Sequence, residues 1–231
     1  MEIRESDGEV TMGVPVLILG ESGHGKSTSL RNFEGDEIGI FNVASKPLPF
    51  RGNLKKVDHA TYNDIEKSLR KNALRAYCID DAGYLLSFAN FARAKEVGYQ
   101  KFTDMAVDFE GMLESIMATN ADTITYVMMH IDYDVRGQAK PKLIGKMLDE
   151  KLCVEGLFPI VLFAKRDDSG YHFITQSDGT TCAKSPIGMF GQGEIDNDLK
   201  AVDAIIREYY GLKPITDKKE EAKAEGERDA D

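Results

Sequence analysis

The hydrophobic positions of this 231-residue chain fall into short, nearly continuous runs separated by polar segments. Runs of about four to eight apolar residues are typical of strands buried on both faces of a sheet. Five such runs predict strands: Pro15–Leu19, Ile38–Val43, Arg75–Ile79, Thr123–Met129 and Phe158–Ala164. A further run, Tyr171–Gln176, follows the turn signal Asp167-Asp168-Ser169-Gly170 and predicts an antiparallel hairpin.

Other segments repeat their apolar residues at three- and four-residue spacing, which indicates amphipathic helices. The clearest is Thr103–Thr119, whose methionine-rich stripe we interpret as core. Helices are also predicted over Lys26–Phe33, over Tyr62–Lys71 and over a last segment from Leu199 to Tyr209. Two prolines make Lys46–Gly52 a loop.

The order of these elements predicts an α/β fold. Early strands alternating with helices indicate a mainly parallel sheet flanked by helices, and the late hairpin adds antiparallel strands near the C-terminus. We expect residues 1–212 to form one domain. Residues 213–231 are largely charged and have no apolar face, so we expect a disordered tail.

Composition narrows the class of protein. A hydrophobic content of 42% excludes a wholly disordered chain, and a net charge of −10 argues against a surface that is basic throughout. A local basic segment can still bind nucleic acid. The apolar stretch Val14–Leu19 is too short for a membrane span or a secretory signal. Three cysteines without a CxxC pair favour a reduced, cytoplasmic protein.

The segment after the first predicted strand matches the P-loop pattern G-x-x-x-x-G-K-[ST] in full. Its residues are Gly20, Glu21, Ser22, Gly23, His24, Gly25, Lys26 and Ser27, followed by Thr28. The glycines let backbone N–H groups approach a polyphosphate, and the next helix directs its positive end at the same group. We expect Lys26 to reach the β- and γ-phosphates, Ser27 to bind Mg²⁺ and Thr28 to contact the α-phosphate.

Two acids end the third predicted strand. Asp80 occupies the place where P-loop NTPases carry the aspartate that holds Mg²⁺, usually through water. Asp81 is the first candidate to activate water, and the alternative is that it caps a helix beginning near Ala82. His130 follows the fourth strand at the same carboxyl edge, where it either senses the γ-phosphate or has only a structural role.

These residues, in this order, resemble the core of the RecA-like P-loop ATPases, and especially the compact phage nucleotide-binding proteins of recombination and single-strand annealing. The resemblance extends from about Val14 to Tyr210. It rests on six segments: Gly20–Thr28, Ala76–Asp81, Met128–His130, Gly145–Glu150, Ala183–Pro186 and Asn197–Lys200. It implies a RecA-like ATPase domain with ATP and Mg²⁺ as cofactors. As partners it implies single-stranded DNA, further copies of the chain and a replication or recombination protein.

In RecA-like proteins the loop after the sensor strand binds DNA, and here that loop is Ile131–Lys146. From Val135 onward it carries no acid and four bases: Arg136, Lys140, Lys142 and Lys146. Such a cluster neutralises phosphates without reading sequence. The alternatives are a solvated surface loop, or bases that reach a neighbouring subunit's nucleotide.

RecA-like ATPases often complete their site with basic residues from the next subunit. Lys165 and Arg166 end a late strand and Lys184 follows the hairpin, so these three are candidates for acting in trans; ordinary surface charges are the alternative. One assembly motif is also echoed, by Phe91-Ala92-Arg93-Ala94. Because it lies inside the core sequence, we expect it to pack a helix instead.

The leading hypothesis is therefore an oligomeric RecA-like Mg²⁺-ATPase that acts on single-stranded DNA in phage-type recombination or replication, in the host cytoplasm if phage-encoded. One departure supports an alternative, a slow or non-hydrolysing nucleotide-gated interaction module. RecA-like proteins commonly carry a catalytic glutamate after the second strand, and Ile40–Ser45 contains no acid. A small-molecule kinase is disfavoured because no arginine-rich lid is evident.

Overall fold

The structure is a computed structural model that describes residues 12–215. Residues 1–11 and 216–231, which include most of the predicted tail, lie outside the described residues. The strands are β1 Val14–Leu19, β2 Gly39–Asn42, β3 Lys56–Asp58, β4 Ala76–Asp80, β5 Ile124–Met129, β6 Ile131–Tyr133, β7 Ala139–Pro141, β8 Ile160–Asp167, β9 Gly170–Ile174 and β10 Glu194–Asp196. The α-helices are α1 Tyr62–Lys71, α2 Gly83–Ala92, α3 Gln100–Met117, α4 Lys146–Lys151 and α5 Leu199–Tyr210. Short 3₁₀-helices cover Ser27–Asn32 and Val154–Leu157.

Eight strands form one sheet in the order β10-β9-β8-β1-β5-β4-β2-β3. All neighbours from β8 to β3 are parallel, whereas β9 and β10 extend the sheet with antiparallel pairs. β5 therefore lies between the P-loop strand β1 and the Asp80 strand β4. The predicted fold class, a mainly parallel sheet flanked by helices with a C-terminal antiparallel hairpin, is confirmed.

Helices cover both faces of the sheet, which explains why its strands are apolar without alternation. Leu17 and Leu19 of β1 pack into the cluster formed with α1, α2 and α3. Val16 and Ile18 point the other way, into the cluster formed with α5 and the 3₁₀-helix Ser27–Asn32. Both sets of side chains are thus removed from water, the dominant favourable contribution to folding.

Local sequence signals explain where two helices begin and end. Before α1, Thr61 and Asp64 form a capping box, and Asn72 ends the helix in the left-handed conformation. Before α5, the Asp198 carboxylate accepts hydrogen bonds from two backbone N–H groups, and Gly211 ends the helix. The predicted helix over 62–71 therefore has the bounds expected from the pattern.

Three expectations differ from the structure. The predicted helix Lys26–Phe33 is a shorter 3₁₀-helix over Ser27–Asn32. The Phe91 motif was expected to pack a helix, and this is wrong, because Phe91, the penultimate residue of α2, is 76% exposed. The stretch Ile131–Lys146 is not an irregular loop, because β6 and β7 pair as a hairpin and α4 begins at its end.

Within the described part of the chain, no helix is both long enough and apolar enough to cross a bilayer. The three cysteines are all free thiols.

A buried polar network joins α5 to the sheet. The Arg207 guanidinium donates to the Asp203 carboxylate at 2.5 Å and to the backbone carbonyls of Arg75, Asp122 and Lys213 at 2.8–2.9 Å. Tyr126 of β5 donates its hydroxyl to the same carboxylate at 2.8 Å. Burial raises the pKa of Asp203, although Arg207 and Tyr126 oppose that shift.

Replacing Arg207 with Ala is expected to destabilise the fold by about 3–5 kcal/mol, because it removes the cation paired with the buried Asp203 carboxylate and one donor to each of three backbone carbonyls. Denaturant unfolding followed by circular dichroism measures the change. The control is Glu208→Ala on the exposed face of α5, expected to change the free energy of unfolding by less than about 0.5 kcal/mol. Equal losses in the two variants would contradict the anchoring role of Arg207.

Candidate nucleotide-binding site

The register of the parallel strands brings the predicted site residues to one edge of the sheet. Leu19 pairs with Met129, so the P-loop and His130 leave the sheet at the same level. On the next strand Ile79 pairs with Val127, which places Asp80 at the end of β4 and the following Asp81 beside them. In parallel α/β sheets, ligands bind outside the carboxyl ends of the strands.

The Lys26 side chain folds back over its own loop. Only 6% of the residue is exposed, and Nζ donates to the carbonyls of Gly20 at 2.7 Å and Glu21 at 2.9 Å. Burial lowers the pKa of Lys26 to about 8, although the Asp81 and Asp80 carboxylates oppose that shift. Lys26 is therefore a desolvated ammonium inside the loop that the sequence predicts to hold phosphate.

Two glycines are required by the close packing around the loop. A Cβ on Gly20 would lie 2.7 Å from the Ala164 carbonyl oxygen of β8. Gly25 has φ +89°, and a Cβ there would lie 2.6 Å from the Tyr171 ring of β9. The loop is thus pressed against the β8–β9 hairpin, so these positions need glycine for space and, at Gly25, for backbone conformation.

The remaining loop residues lie around the same space. Ser22, Gly23, Ser27 and Thr28 line the cavity beside the loop. The Glu21 carboxylate lies 3.7 Å from His24 Nε2, and His24 Nδ1 is a buried nitrogen without a hydrogen-bond partner among the described residues.

The pair Ser27 and Asp80 supplies oxygen donors suited to Mg²⁺. Ser27 Oγ donates to Asp80 Oδ1 at 2.9 Å, and Asp80 is only 4% exposed. Burial, and then the neighbouring Asp81, raise the pKa of Asp80 to about 6. No cationic side chain within residues 12–215 forms an ion pair with Asp80. A buried carboxylate without a cation beside a hydroxyl fits a small divalent cation that prefers oxygen ligands.

Asp81 forms contacts that the cap interpretation does not explain. The residue before α2 is Ala82, with no side-chain cap, so the interpretation of Asp81 as an N-cap is wrong. Its Oδ1 lies 3.2 Å from His130 Nε2, and its Oδ2 lies 2.5 Å from Lys46 Nζ. Burial alone would raise the pKa of Asp81, but His130 and Lys46 outweigh it and lower the pKa to about 2.

The contact between Lys46 and Asp81 is an ion pair without hydrogen-bond alignment. Asp81 Oδ2 consequently has no directed donor among the described residues. The φ angle of Asp81 is +61°, an unusual conformation for a non-glycine residue. Such conformations often occur at functional sites, where surrounding contacts hold them in place.

His130 lies between the two cavities of the site. Its ring packs edge-on against Tyr84 of α2, with centroids 5.9 Å apart. The P-loop cavity has a volume of about 280 Å³ and a neighbouring cavity about 480 Å³, and both are lined by Ser22, Lys46 and His130. Tyr84, Tyr133 and Lys142 line only the larger one. The predicted phosphate site thus opens into a second, mixed polar and aromatic space.

The basic segment forms the β6–β7 hairpin above this second space. Arg136 lies exposed near its tip, and Lys142 follows β7. Lys140 forms an ion pair with Asp149 of α4 and is the cross-strand partner of Asp132. Part of the positive charge counted along the sequence is therefore neutralised by acids that only folding brings close.

The hairpin also touches the P-loop directly. The Tyr133 hydroxyl of β6 donates to Glu21 Oε1 at 2.7 Å. One side-chain hydrogen bond therefore joins the P-loop to the hairpin.

The three candidates for trans action lie on or near the β8–β9 hairpin. Lys165 Nζ lies 3.3 Å from Asp167 and 3.7 Å from Glu194, so it has acidic partners in its own chain. The Arg166 guanidinium stacks on the Tyr171 ring at 5.2 Å. Lys184 pairs through its backbone with Val161 of β8.

Sequence reasoning missed four residues that line the P-loop cavity: Lys46, Pro47, Pro49 and Tyr171. Lys46 follows the second predicted strand at the carboxyl edge of the sheet. Because ligands bind outside the carboxyl ends of parallel strands, its position after β2 is a sequence signal that could have identified it. The residue expected after that strand is a catalytic acid, whereas Lys46 is a base. No sequence signal places Tyr171 against Gly25, because that contact depends on how the hairpin folds back.

Comparisons with known proteins add little to this description. No family model matches the chain, and no curated protein matches it in sequence. Among solved structures, it is similar to the Legionella pneumophila ATPase DotB, with a TM-score of 0.34 and 11% identity. The match covers 66% of this chain and 41% of DotB. The fold assignment therefore rests on this chain's own strand order and P-loop.

The Gly25→Ala variant is expected to lose about 1–3 kcal/mol of stability, because the new methyl overlaps the Tyr171 ring. Gly35→Ala is the control, since Gly35 also has positive φ (+49°) but a methyl group added there would have no atom within 4 Å. Denaturant unfolding of both variants measures the difference. Adding Tyr171→Ala is expected to recover part of the loss at Gly25, and strictly additive losses would contradict the overlap.

Proposed function

We propose that this chain is a Mg²⁺-dependent ATPase that acts on single-stranded DNA as an oligomer, in recombination or replication. The observation that carries the proposal is the meeting of Lys26, Ser27 and Asp80 at one sheet edge, around a complete P-loop. This arrangement matches the parts that P-loop NTPases use to hold a triphosphate and its metal ion. ATP as the nucleotide comes from the resemblance to RecA-like ATPases.

Different residues of the site would bind the phosphates and the Mg²⁺ ion. Lys26, which now donates to carbonyls of its own loop, would turn its ammonium to the β- and γ-phosphates. Ser27 and Asp80 would hold Mg²⁺, which when bound neutralises negative charge on the phosphate oxygens. The backbone N–H groups of the loop would surround the phosphates, as the glycine positions allow.

Asp81 is the residue that we assign to the attacking water. It lies next to Asp80, is 3% exposed, and stays ionised at neutral pH because its pKa is about 2. An ionised carboxylate can accept a hydrogen bond from water and orient it toward phosphorus. His130 at 3.2 Å would position the carboxylate.

The DNA part of the proposal rests on the β6–β7 hairpin. Arg136 and Lys142 offer cations, and Tyr84 and Tyr133 offer aromatic faces beside the larger cavity, which together suit a flexible polynucleotide. The hydrogen bond from Tyr133 to Glu21 supports a link between nucleotide and DNA.

The oligomer part rests on exposed apolar residues in the second half of α2 and in the segment between α2 and α3. These are Phe88, Phe91, Val97 and Tyr99, each at least half exposed. Clustered exposed aromatic residues often mark surfaces that bind another protein. A replication or recombination protein is the other partner that the resemblance implies.

A slow, nucleotide-gated interaction module is the second candidate function. It is favoured by the low pKa of Asp81, since a weakly basic carboxylate is a poor proton acceptor. Steady-state phosphate release with and without single-stranded DNA separates the two. Stimulation by DNA supports the ATPase, and tight ATP binding without turnover supports the module.

The Lys26→Ala variant is expected to abolish ATP turnover, because it removes the cation of the P-loop. Lys71→Ala, at the exposed end of α1, is the matched control and is expected to retain the wild-type rate. Phosphate release is measured for both, together with circular dichroism to verify folding. Undiminished hydrolysis by Lys26→Ala would overturn the assignment of the P-loop.

The Arg136/Lys140/Lys142 triple alanine variant is expected to bind single-stranded DNA more weakly. Because Lys140 already pairs with Asp149, two effective phosphate contacts are lost and the log–log salt slope falls by about 1.4. Fluorescence anisotropy with labelled oligo-dT over a salt series measures both quantities. Lys67/Arg70/Lys71→Ala on α1 has the same change in charge, and equal affinities of the two triple variants would exclude the hairpin as the DNA contact.

A further inference from the structure

Lys46 is presented to the P-loop cavity by a firmly anchored backbone. The buried Asn42 side chain donates to the Lys46 carbonyl at 2.8 Å and to Asp58 at 2.6 Å. Ser45, with φ +54°, accepts a hydrogen bond from the His59 N–H group at 2.5 Å. The next residue is Pro47, which restricts the backbone on both sides of the bond. The position of the Lys46 backbone, from which its side chain extends toward the cavity, is therefore fixed by these contacts.

The Lys46 side chain itself remains largely exposed to solvent. It is 58% exposed, whereas the Asp81 carboxylate that it meets is 4% exposed. The 2.5 Å contact lacks hydrogen-bond alignment, and the ammonium also lies 5.7 Å from the Tyr84 ring centroid. Because most of the Lys46 side chain is exposed, its ammonium can turn to a more highly charged anion in the cavity, and His130 stays 3.2 Å from Asp81 as a second partner of that carboxylate.

Two ammonium groups converge on the P-loop cavity. Lys26 and Lys46 both line it, and the charge on Lys46 is among the influences that lower the pKa of Lys26. Asp80 and Asp81 lie in the same lining. An anion bound between the two lysines would relieve their repulsion, and the most negative part of a nucleoside triphosphate is its terminal phosphate.

We propose that Lys46 contacts the terminal phosphate of a bound nucleoside triphosphate, exchanging Asp81 for that phosphate, and so makes the chain prefer triphosphates over diphosphates. The inference rests on the proposed nucleotide-binding function and adds a specificity-determining residue within the same chain. A diphosphate leaves the ion pair of Lys46 with Asp81 in place. A triphosphate releases the Asp81 carboxylate to the water that it would orient.

The test compares nucleotides that differ by one phosphate. Isothermal titration calorimetry with ATPγS and with ADP, both with Mg²⁺, gives the ratio of affinities for the wild type, Lys46→Ala and Lys46→Arg. We expect Lys46→Ala to lose about 10- to 100-fold in ATPγS affinity, the effect of removing one charge-assisted hydrogen bond, and less than about 3-fold in ADP affinity. Lys46→Arg is expected to keep most of the preference because it keeps the charge.

The control variant is Lys55→Ala, an exposed lysine that pairs with Asp36 and does not line the P-loop cavity. It is expected to leave both affinities unchanged. Equal losses for ATPγS and ADP in Lys46→Ala, or no loss for either, would overturn the role of Lys46 while the nucleotide site stands. Failure of the wild-type chain to bind either nucleotide would overturn the proposed function and this inference together.

A double-mutant cycle with Asp81→Asn tests the exchange itself. Removing the carboxylate frees Lys46, so Asp81→Asn is expected to raise the ATPγS affinity more in the wild-type background than in Lys46→Ala. A purely long-range charge effect of Asp81 would give the same gain in both backgrounds. Identical gains would therefore exclude exchange of partners by Lys46.

Discussion

The matched register of three parallel strands is the constraint on which the rest of the site depends. β5 lies between β1 and β4, with Leu19 opposite Met129 and Ile79 opposite Val127. Each strand consequently delivers its next residues to the same edge. A slip of one residue would turn every side chain of a strand to the other face. Because both faces of these strands are buried, such a slip would be very unfavourable. Packing of the core therefore fixes the positions of the residues that follow each strand.

The two adjacent carboxylates at that edge, Asp80 and Asp81, have different partners. Asp80 is buried beside a hydroxyl and has no cationic partner among the described residues, whereas Asp81 meets both His130 and Lys46. The opposite pKa shifts of these adjacent carboxylates, to about 6 and about 2, follow from that difference. One acid is thereby suited to a metal ion and the other to remain an anion among protein cations.

Counting charged residues along the sequence overstates the free positive charge of the β6–β7 hairpin. The segment from Val135 to Lys146 contains no acid, yet folding places Asp149 against Lys140 and Asp132 across the hairpin from it. Of the other bases in the segment, Lys142 is exposed and lines the same cavity as Tyr84 and Tyr133. The free positive charge on the hairpin is therefore smaller than the sequence count indicates.

Periodicity and motif spacing by themselves determined the α/β class and most strands of the parallel sheet, and they identified the P-loop pattern and the acid that ends β4. These are readable because burial imposes hydrophobic repeats and phosphate binding imposes a fixed spacing of glycine, lysine and serine. Even the bounds of α1 follow from the local capping signals of Thr61 and Asn72. Only the tertiary structure decided that Lys46 pairs with Asp81, that Tyr171 presses on Gly25, and that Phe91 is exposed. Each of these depends on the path of the chain between distant segments, which hydrophobic patterns do not encode.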